Sequence, residues 1–322
     1  MSRYVEIDMR KIATHSIRER KSKFQSIQAG KPVPPGSSFR EFWDSLPQTL
    51  AAQELDALAE AVVSAASRRK PVLFMMGAHV IKVGLSPVVV DLMEAGLVRG
   101  VSLNGAGVVH DVELAYFACT SEDVSEGLRD GSFGMARETS DLVNGAVQTA
   151  AQEGLGFGEA LGKRMSENPP EGFATSILGQ AFRLGIPATV HVALGTDIVH
   201  QHPSADGAAI GEASLRDFRI LANLVSQIGD GGVVILFGSS VILPEVFLKA
   251  LTVARNVTGS VERFVTANFD MIRHYRPFVN MVQRPTQDGG RGFNFIGHHE
   301  ILMPLLAASV KEKWSRAAKR HS

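Results

Sequence analysis

The chain has 322 residues, 45% of them hydrophobic, which is enough for one large α/β domain or two modest ones. Its 33 basic and 33 acidic residues cancel, so the charge signatures of a nucleic-acid binder, a membrane-surface protein and a receptor for polycations are all missing. The single cysteine, Cys119, excludes an internal disulfide and a thiolate zinc cluster, and it suits a reducing compartment.

The N-terminal "MSRYVEIDMRKIATHSIRERKSKF" is charged and lacks the apolar centre of a secretory signal. No apolar run reaches the roughly 20 residues that cross a bilayer. The expected location is therefore the cytoplasm, with no membrane partner. "GKPVPPGSSF" (30–39), with three prolines and two glycines, reads as a loop dividing a basic arm, residues 1–38, from a single α/β domain, residues 39–322.

From Ser45, "SLPQTLAAQELDALAEAVVSAASRRK" has apolar residues at helical spacing and a basic end that suits the helix dipole. Next, "PVLFMMG" and "VRGVSLNG" read as buried strands, each followed by an amphipathic helix. "RDGSFGMARET" is glycine-rich but carries no phosphate-loop lysine, and "RETSDLVNGA" (137–146) reads as a capping turn. The strand and helix pattern returns in "PATVHVAL", "ASLRDFRILANLVSQIG", "GGVVILFGSS", "LPEVFLKALTVARN" and "ERFVTANFD". Continuously apolar strands alternating with helices predict a mostly parallel sheet covered on both faces. Such sheets bind ligands beyond the carboxyl ends of their strands, where "MMGAH", "LNGAGVVHD", "ALGTDIVHQH", "LFGSS" and "VTANFD" all fall. Cys119 reads as a small buried hydrophobe, and Asp206, Glu212 and Asp217 as charges solvating a loop and a helix start. "KEKWSRAAKRHS" closes the chain as a solvated basic helix end.

"GTDIVHQHPSADGA" (195–208) admits two functional readings beside that of an ordinary, internally satisfied polar loop. His200 and His202 face the same side of an extended segment, and His191 and Asp197 lie near enough in sequence to help complete a metal site. The same groups suit the lip of an organic-ligand pocket, where histidines exchange protons near neutral pH.

The turns, taken in order from Pro71 to Ser309, resemble those of deoxyhypusine synthase. "MGAHVIKVG" stands where that family has "TSNLxSSG", and "NGAGVVHD" where it has "TAGGxEED". "VALGTDIVHQHP" is similar to its "PALTDGSxG", "LFGSSVILPE" to its "LGGGxxKHH", "VTANFDMIRHYRP" to its "NTAQEFDGSDSGARP", and "GHHEILMPLLAA" to its "ADASxxFPLLVA". The resemblance implies a Rossmann-like, doubly wound fold that binds NAD, a transferase activity, and a homotetramer with active sites between subunits. The departures fall on the chemistry. No lysine lies between Lys249 and Lys311, where the family holds its substrate as an imine, and the paired histidines of "KHH" fall on Pro244 and Glu245.

On this resemblance Gly105, Ala106 and Gly107 admit a phosphate or ribose, and Asn104 and Asp111 bond sugar hydroxyls. The local sequence alone favours an ordinary tight strand-to-helix turn, and the resemblance reverses that preference. Gly77, Gly238, Ser239, Ser240, Thr266 and Asp270 carry the same two readings, and Asp197, His298 and His299 join them as cofactor contacts. His200, His202 and Glu245 are the acid-base candidates. The expected function is NAD-dependent oxidation of an amine or amino-acid-like substrate to an imine, followed by transfer, deamination or hydrolysis, with no metal. The alternatives are a metal-assisted hydrolase built on His191, Asp197, His200 and His202, and a non-catalytic NAD-binding regulator.

Overall fold

The computed structural model describes residues 2–319; Met1 and the last three residues of the basic tail lie outside the described residues. The chain divides into two compact units, Met1–Gln53 and Glu54–Ser322. In the first unit no described residue is buried. Its helix α1 (Phe39–Ser45) starts at a capping box, where the Ser38 hydroxyl accepts from the Glu41 N–H and the Glu41 carboxylate accepts from the Ser38 N–H.

Helix α2 (Leu50–Ser67) buries Leu55, Leu58, Ala59, Val62, Ala65 and Ala66, the single stripe its spacing predicts. It begins at Leu50 rather than Ser45, because Ser45 ends α1 and Pro47 intervenes. Strand β1 (Val72–Met76) then leads to helices α3 (Ala78–Lys82) and α4 (Ser86–Glu94), and strand β2 (Gly100–Asn104) to α5 (Gly105–Phe117). Four helices follow: α6 (Val124–Asp130), α7 (Arg137–Glu153), α8 (Phe157–Glu167) and α9 (Ile177–Arg183). Strand β3 (Ala188–His191) precedes α10 (Gly207–Ser226), and β4 (Val233–Phe237) precedes α11 (Ile242–Thr258). Strand β5 (Val265–Asp270), the short helical turn α12 (Tyr275–Pro277), strand β6 (Arg291–Ile296) and α13 (His299–Lys319) complete the order. Among the described residues no helix is long and apolar enough to cross a membrane.

The sheet has six strands, all parallel, in the order β3-β2-β1-β4-β5-β6. That is the doubly wound Rossmann order, with its topological switch between β1 and β4. Every residue of β1 and β4 is buried, as helices covering both faces require. Phe247, Leu243 and Leu251 of α11 and Leu221 and Val225 of α10 pack with Leu73, Met75, Val234 and Leu236.

Two expectations are corrected by the packing. "RETSDLVNGA" is the first half of α7, whose buried stripe includes Val143, Ala146, Val147 and Ala150. Asp217 is no solvated charge. It is fully buried on α10, and one of its oxygens accepts from the Gly158 N–H (3.0 Å) and the Val190 N–H (2.7 Å), closing the outer edge of β3.

Candidate active site

The carboxyl ends of β1 and β4 open the crevice. Gly77 ends β1 and donates its N–H to Phe237, while Gly238 ends β4 and donates to Phe269, so the ladder continues one residue past each strand. The α-carbon of Gly77 lies directly against the Gly238 carbonyl, and Gly238, at φ +60°, lies against the His299 ring. These glycines therefore serve close packing of the chain on itself and form the floor of the crevice. His299, the first residue of α13, is 1% exposed. Its Nε2 lies 3.0 Å from the Phe269 carbonyl oxygen and must be the donor, which leaves Nδ1 of the neutral ring a buried acceptor with no partner among the described residues. The His79 ring on α3 lies 5.5 Å from it, and burial, reinforced by His299, holds the pKa of His79 below the usual value.

The other predicted residues of this half separate. His298 points outward, its ring 63% exposed and 3.7 Å from Glu300. Asp270 is buried at the end of β5, accepting from the Met271 N–H and lying 3.9 Å from His274. Ser239 is consumed as the acceptor for the Leu243 N–H at the start of α11, whereas Ser240 is partly open. Thr266 does not reach the crevice: it is the second residue of β5, fully buried, and donates to the Met281 carbonyl. Glu245 is held by Lys249, Asn280 and Arg276. The Lys249 contact lowers its pKa below the usual carboxylate value, so it is a poor proton acceptor at neutral pH.

Beside β2 and β3, the Asn104 side chain accepts from the Gly107 N–H (2.9 Å) and caps α5. The Asp197 carboxylate reaches the Ala106 N–H and fills the space that a side chain on Gly105 would take. Burial raises the pKa of Asp197, and His200 opposes that shift. His200 Nδ1 accepts from the Gly195 and Asp197 N–H groups, which puts the ring proton on Nε2, 3.9 Å from Asp197 Oδ2. Among the described residues Asp197 Oδ2 has no hydrogen-bond partner.

Three further expectations fail here. Ile198–Gln201 is a 3-10 turn rather than an extended segment, so His200 and His202 diverge, and His202 bonds Ser204 instead. Asp111 does not meet the crevice: it is 2% exposed and takes the Ser176 hydroxyl and the Ile177 and Leu178 N–H groups at the start of α9. His191 is sealed in the sheet against Thr189, burial pushing its pKa down to about 3. The four residues of the metal alternative thus do not converge, and among the described residues no three His, Cys, Asp or Glu side chains form a metal-holding group.

A cavity of about 260 Å³ opens beside Ala106 and Asp197, lined also by Lys82, His110, Glu113 and Glu122. None of these last four was singled out from the sequence. The available signal was spacing, since His79 and Lys82 on α3, and His110 and Glu113 on α5, each stand three residues apart on one helix face. Cys119, expected inside, is exposed on the rim of an adjoining cavity.

No protein-family model and no curated protein sequence matches the chain. Solved structures do. AgrE in ternary complex with ornithine and NAD+ superposes with a TM-score of 0.53 at 13% identity, over 82% of this chain and 33% of that one. ArgZ, an arginine dihydrolase of the ornithine-ammonia cycle in cyanobacteria, gives 0.51 at 12% identity, over 82% and 33%. A protein assigned as a deoxyhypusine synthase from Entamoeba histolytica gives 0.50 at 10% identity, over 87% and 95%. The chain therefore spans about a third of the length of AgrE and ArgZ and nearly all of the third protein. Its fold is deoxyhypusine-synthase-like.

Proposed function

We propose that the chain is an NAD-dependent enzyme acting on an amino-acid-like amine. One observation carries this reading: at the carboxyl-end side of the sheet two buried acceptors, His299 Nδ1 and Asp197 Oδ2, have no hydrogen-bond partner among the described residues. Buried acceptors are almost always satisfied, so a pair left open where a doubly wound sheet takes its ligand favours a ligand that brings donors. A sugar hydroxyl suits His299, and an amine suits the carboxylate of Asp197. The fold shared with AgrE, whose complex holds ornithine and NAD+, supports the same pairing.

When bound, NAD supplies the hydride acceptor. The chain's own residues orient and exclude water. His299 is fixed by the Phe269 carbonyl, and His200, whose Nδ1 is taken by the Gly195 and Asp197 N–H groups, acts as a positioning residue that shapes the turn carrying Asp197. With no lysine between Lys249 and Lys311 to hold the substrate, oxidation to an imine is followed by transfer, deamination or hydrolysis without a lysine-bound intermediate.

Calorimetry with NAD tests the cofactor. The wild type is expected to bind, and Gly105→Val, which evicts the Asp197 carboxylate from the α5 N-terminus, to weaken binding at least tenfold while the far-ultraviolet spectrum stays native. A wild type that releases no heat removes the cofactor reading. NAD binding without turnover of any amine leaves the regulator.

The same reading carries a homotetramer in which the first unit joins the assembly. Ser2–Gln53 has no buried residue and exposes Tyr4, Val5, Ile7 and Met9, a surface that contact with another subunit would remove from water. Light scattering is expected to give a tetramer for the full chain and a smaller species for a chain starting at Glu54. Equal masses per assembly state would take the first unit out of the interface.

A further inference from the structure

Two lining residues of the cavity of about 260 Å³, His110 and Glu113, belong to a hydrogen-bond relay that reaches into its wall. Helical spacing puts His110 and Glu113 on one face of α5. Past the end of that helix the left-handed Ala118 (φ 55°) turns the chain back. That turn brings Thr120 over the same face, its Oγ1 2.5 Å from His110 Nδ1 and 2.5 Å from Glu113 Oε2. Thr139, on α7, donates to the other oxygen of Glu113 at 3.0 Å. The proton count then fixes the tautomer. Thr120 has one hydroxyl proton and gives it to the carboxylate, so His110 must donate to Thr120 through Nδ1–H, and Nε2 is left with a free lone pair. A neutral imidazole oriented by a hydroxyl and a carboxylate is the arrangement of a general base.

The charges of the lining indicate the ligand. Among the described lining residues Lys82 is the single cation, set against the carboxylates of Glu113, Glu122 and Asp197. Such a lining suits a molecule with more ammonium than carboxylate groups, and the volume, a little below the roughly 300–1,000 Å³ typical of ligand pockets, suits a small one.

Resting on the amine-oxidising reading above, we propose that this cavity seats a basic diamino acid, its carboxylate at Lys82, and that His110 takes the proton from its reacting ammonium. An N–H bond of the ammonium breaks, its electron pair stays on the substrate nitrogen, and the proton forms a new N–H bond at Nε2. The products are a neutral amine and an imidazolium stabilised through Thr120 by Glu113. Burial favours the neutral ring before substrate enters: it holds the pKa of His110 below its usual value, while Glu113 opposes and Lys82 reinforces that shift. Thr120 and Glu113 are positioning residues.

Nitrogen-15 spectra of the histidine rings in the full-length protein test this, with L-ornithine as the probe and L-glutamate as its counterpart. The free protein is expected to show His110 as the Nδ1–H tautomer, and L-ornithine to shift its Nε2 resonance while L-glutamate leaves it in place. Thr120→Val should abolish the tautomer preference with the fold intact. Lys82→Met should raise the L-ornithine Kd at least tenfold and leave the tautomer unchanged. An Nε2–H tautomer in the wild type, an Nε2 resonance unmoved by L-ornithine, or equal response to L-glutamate overturns the proposal. Calorimetry with NAD on the same samples separates the two claims: L-ornithine shifting His110 in a protein that does not bind NAD sinks the cofactor reading alone, and NAD binding with no response at His110 sinks this one alone.

Discussion

Gly77→Ala is expected to cost more than about 4 kcal/mol and to leave little folded protein, an effect at the extreme of single substitutions. The reason is geometric rather than conformational. Gly77 has an ordinary φ of −72°, so alanine fits the backbone there, but its Cβ would overlap the Gly238 carbonyl. Neither side can yield. Gly77 is tied by its N–H to Phe237, Gly238 by its N–H to Phe269, and both loops leave the fully buried central strands β1 and β4. Relieving the overlap means prising those strands apart at the switch point, where the crevice floor is made. Gly207→Ala is the contrasting substitution, because nothing lies within 4 Å of the added carbon, and it should change stability by less than about 1 kcal/mol. Thermal unfolding of the two variants decides the matter. A Gly77→Ala protein that melts with the wild type would mean that the two loops do not touch in solution.

That contact marks how far the sequence could be read. "VLFMM" and "VVILF" are visible as strands because burial on both faces leaves no polar residue to break the run, and their order with the helices carries the parallel sheet. Strand β6 escaped. "RGFNFI" lies at the sheet edge, alternates buried and open residues, and follows a glycine-rich turn. In the site, the glycines were legible as places of close approach, but the sequence does not say what approaches. The partners are Gly238, His299 and Asp197 of this chain. The adjacent histidines 298 and 299 look equivalent in "GHHE", yet one begins a helix facing inward and its neighbour faces water. Asp111 sits in a motif that suggests ligand binding and is spent on the start of α9, a role set by contacts more than sixty residues away in sequence. His110, one residue earlier, points to the cavity instead, because successive residues on a helix diverge by about 100°.

The pH dependence of stability should split into two opposed contributions of about 3 kcal/mol each between about pH 4 and about pH 7, one from His191 and one from Asp217. Both lie on the β3 side of the sheet, where Asp217 accepts the Val190 N–H immediately before His191. Burial pushes the His191 pKa from 6.5 down to about 3. Its neutral ring therefore stabilises the fold fully above 6.5, and that contribution is lost as pH falls towards about 3. Burial raises Asp217 from 3.8 to about 7, against the pull of the Gly158, Val190 and Phe157 backbone donors. Here the protonated form favours the fold, so the contribution is complete below 3.8 and is lost as pH rises to about 7. Between the two ordinary values the slopes cancel, and the wild type hides both. Single variants expose them. Relative to wild type, His191→Gln should gain about 3 kcal/mol on going from about pH 7 to about pH 4, and Asp217→Asn, which keeps an acceptor for the Gly158 and Val190 N–H groups, should lose about as much. Urea unfolding of the three proteins at the two pH values measures both changes. If the variants track the wild type at each pH, the two groups titrate in the folded chain as they do in water, and the sealed edge of β3 is open to solvent.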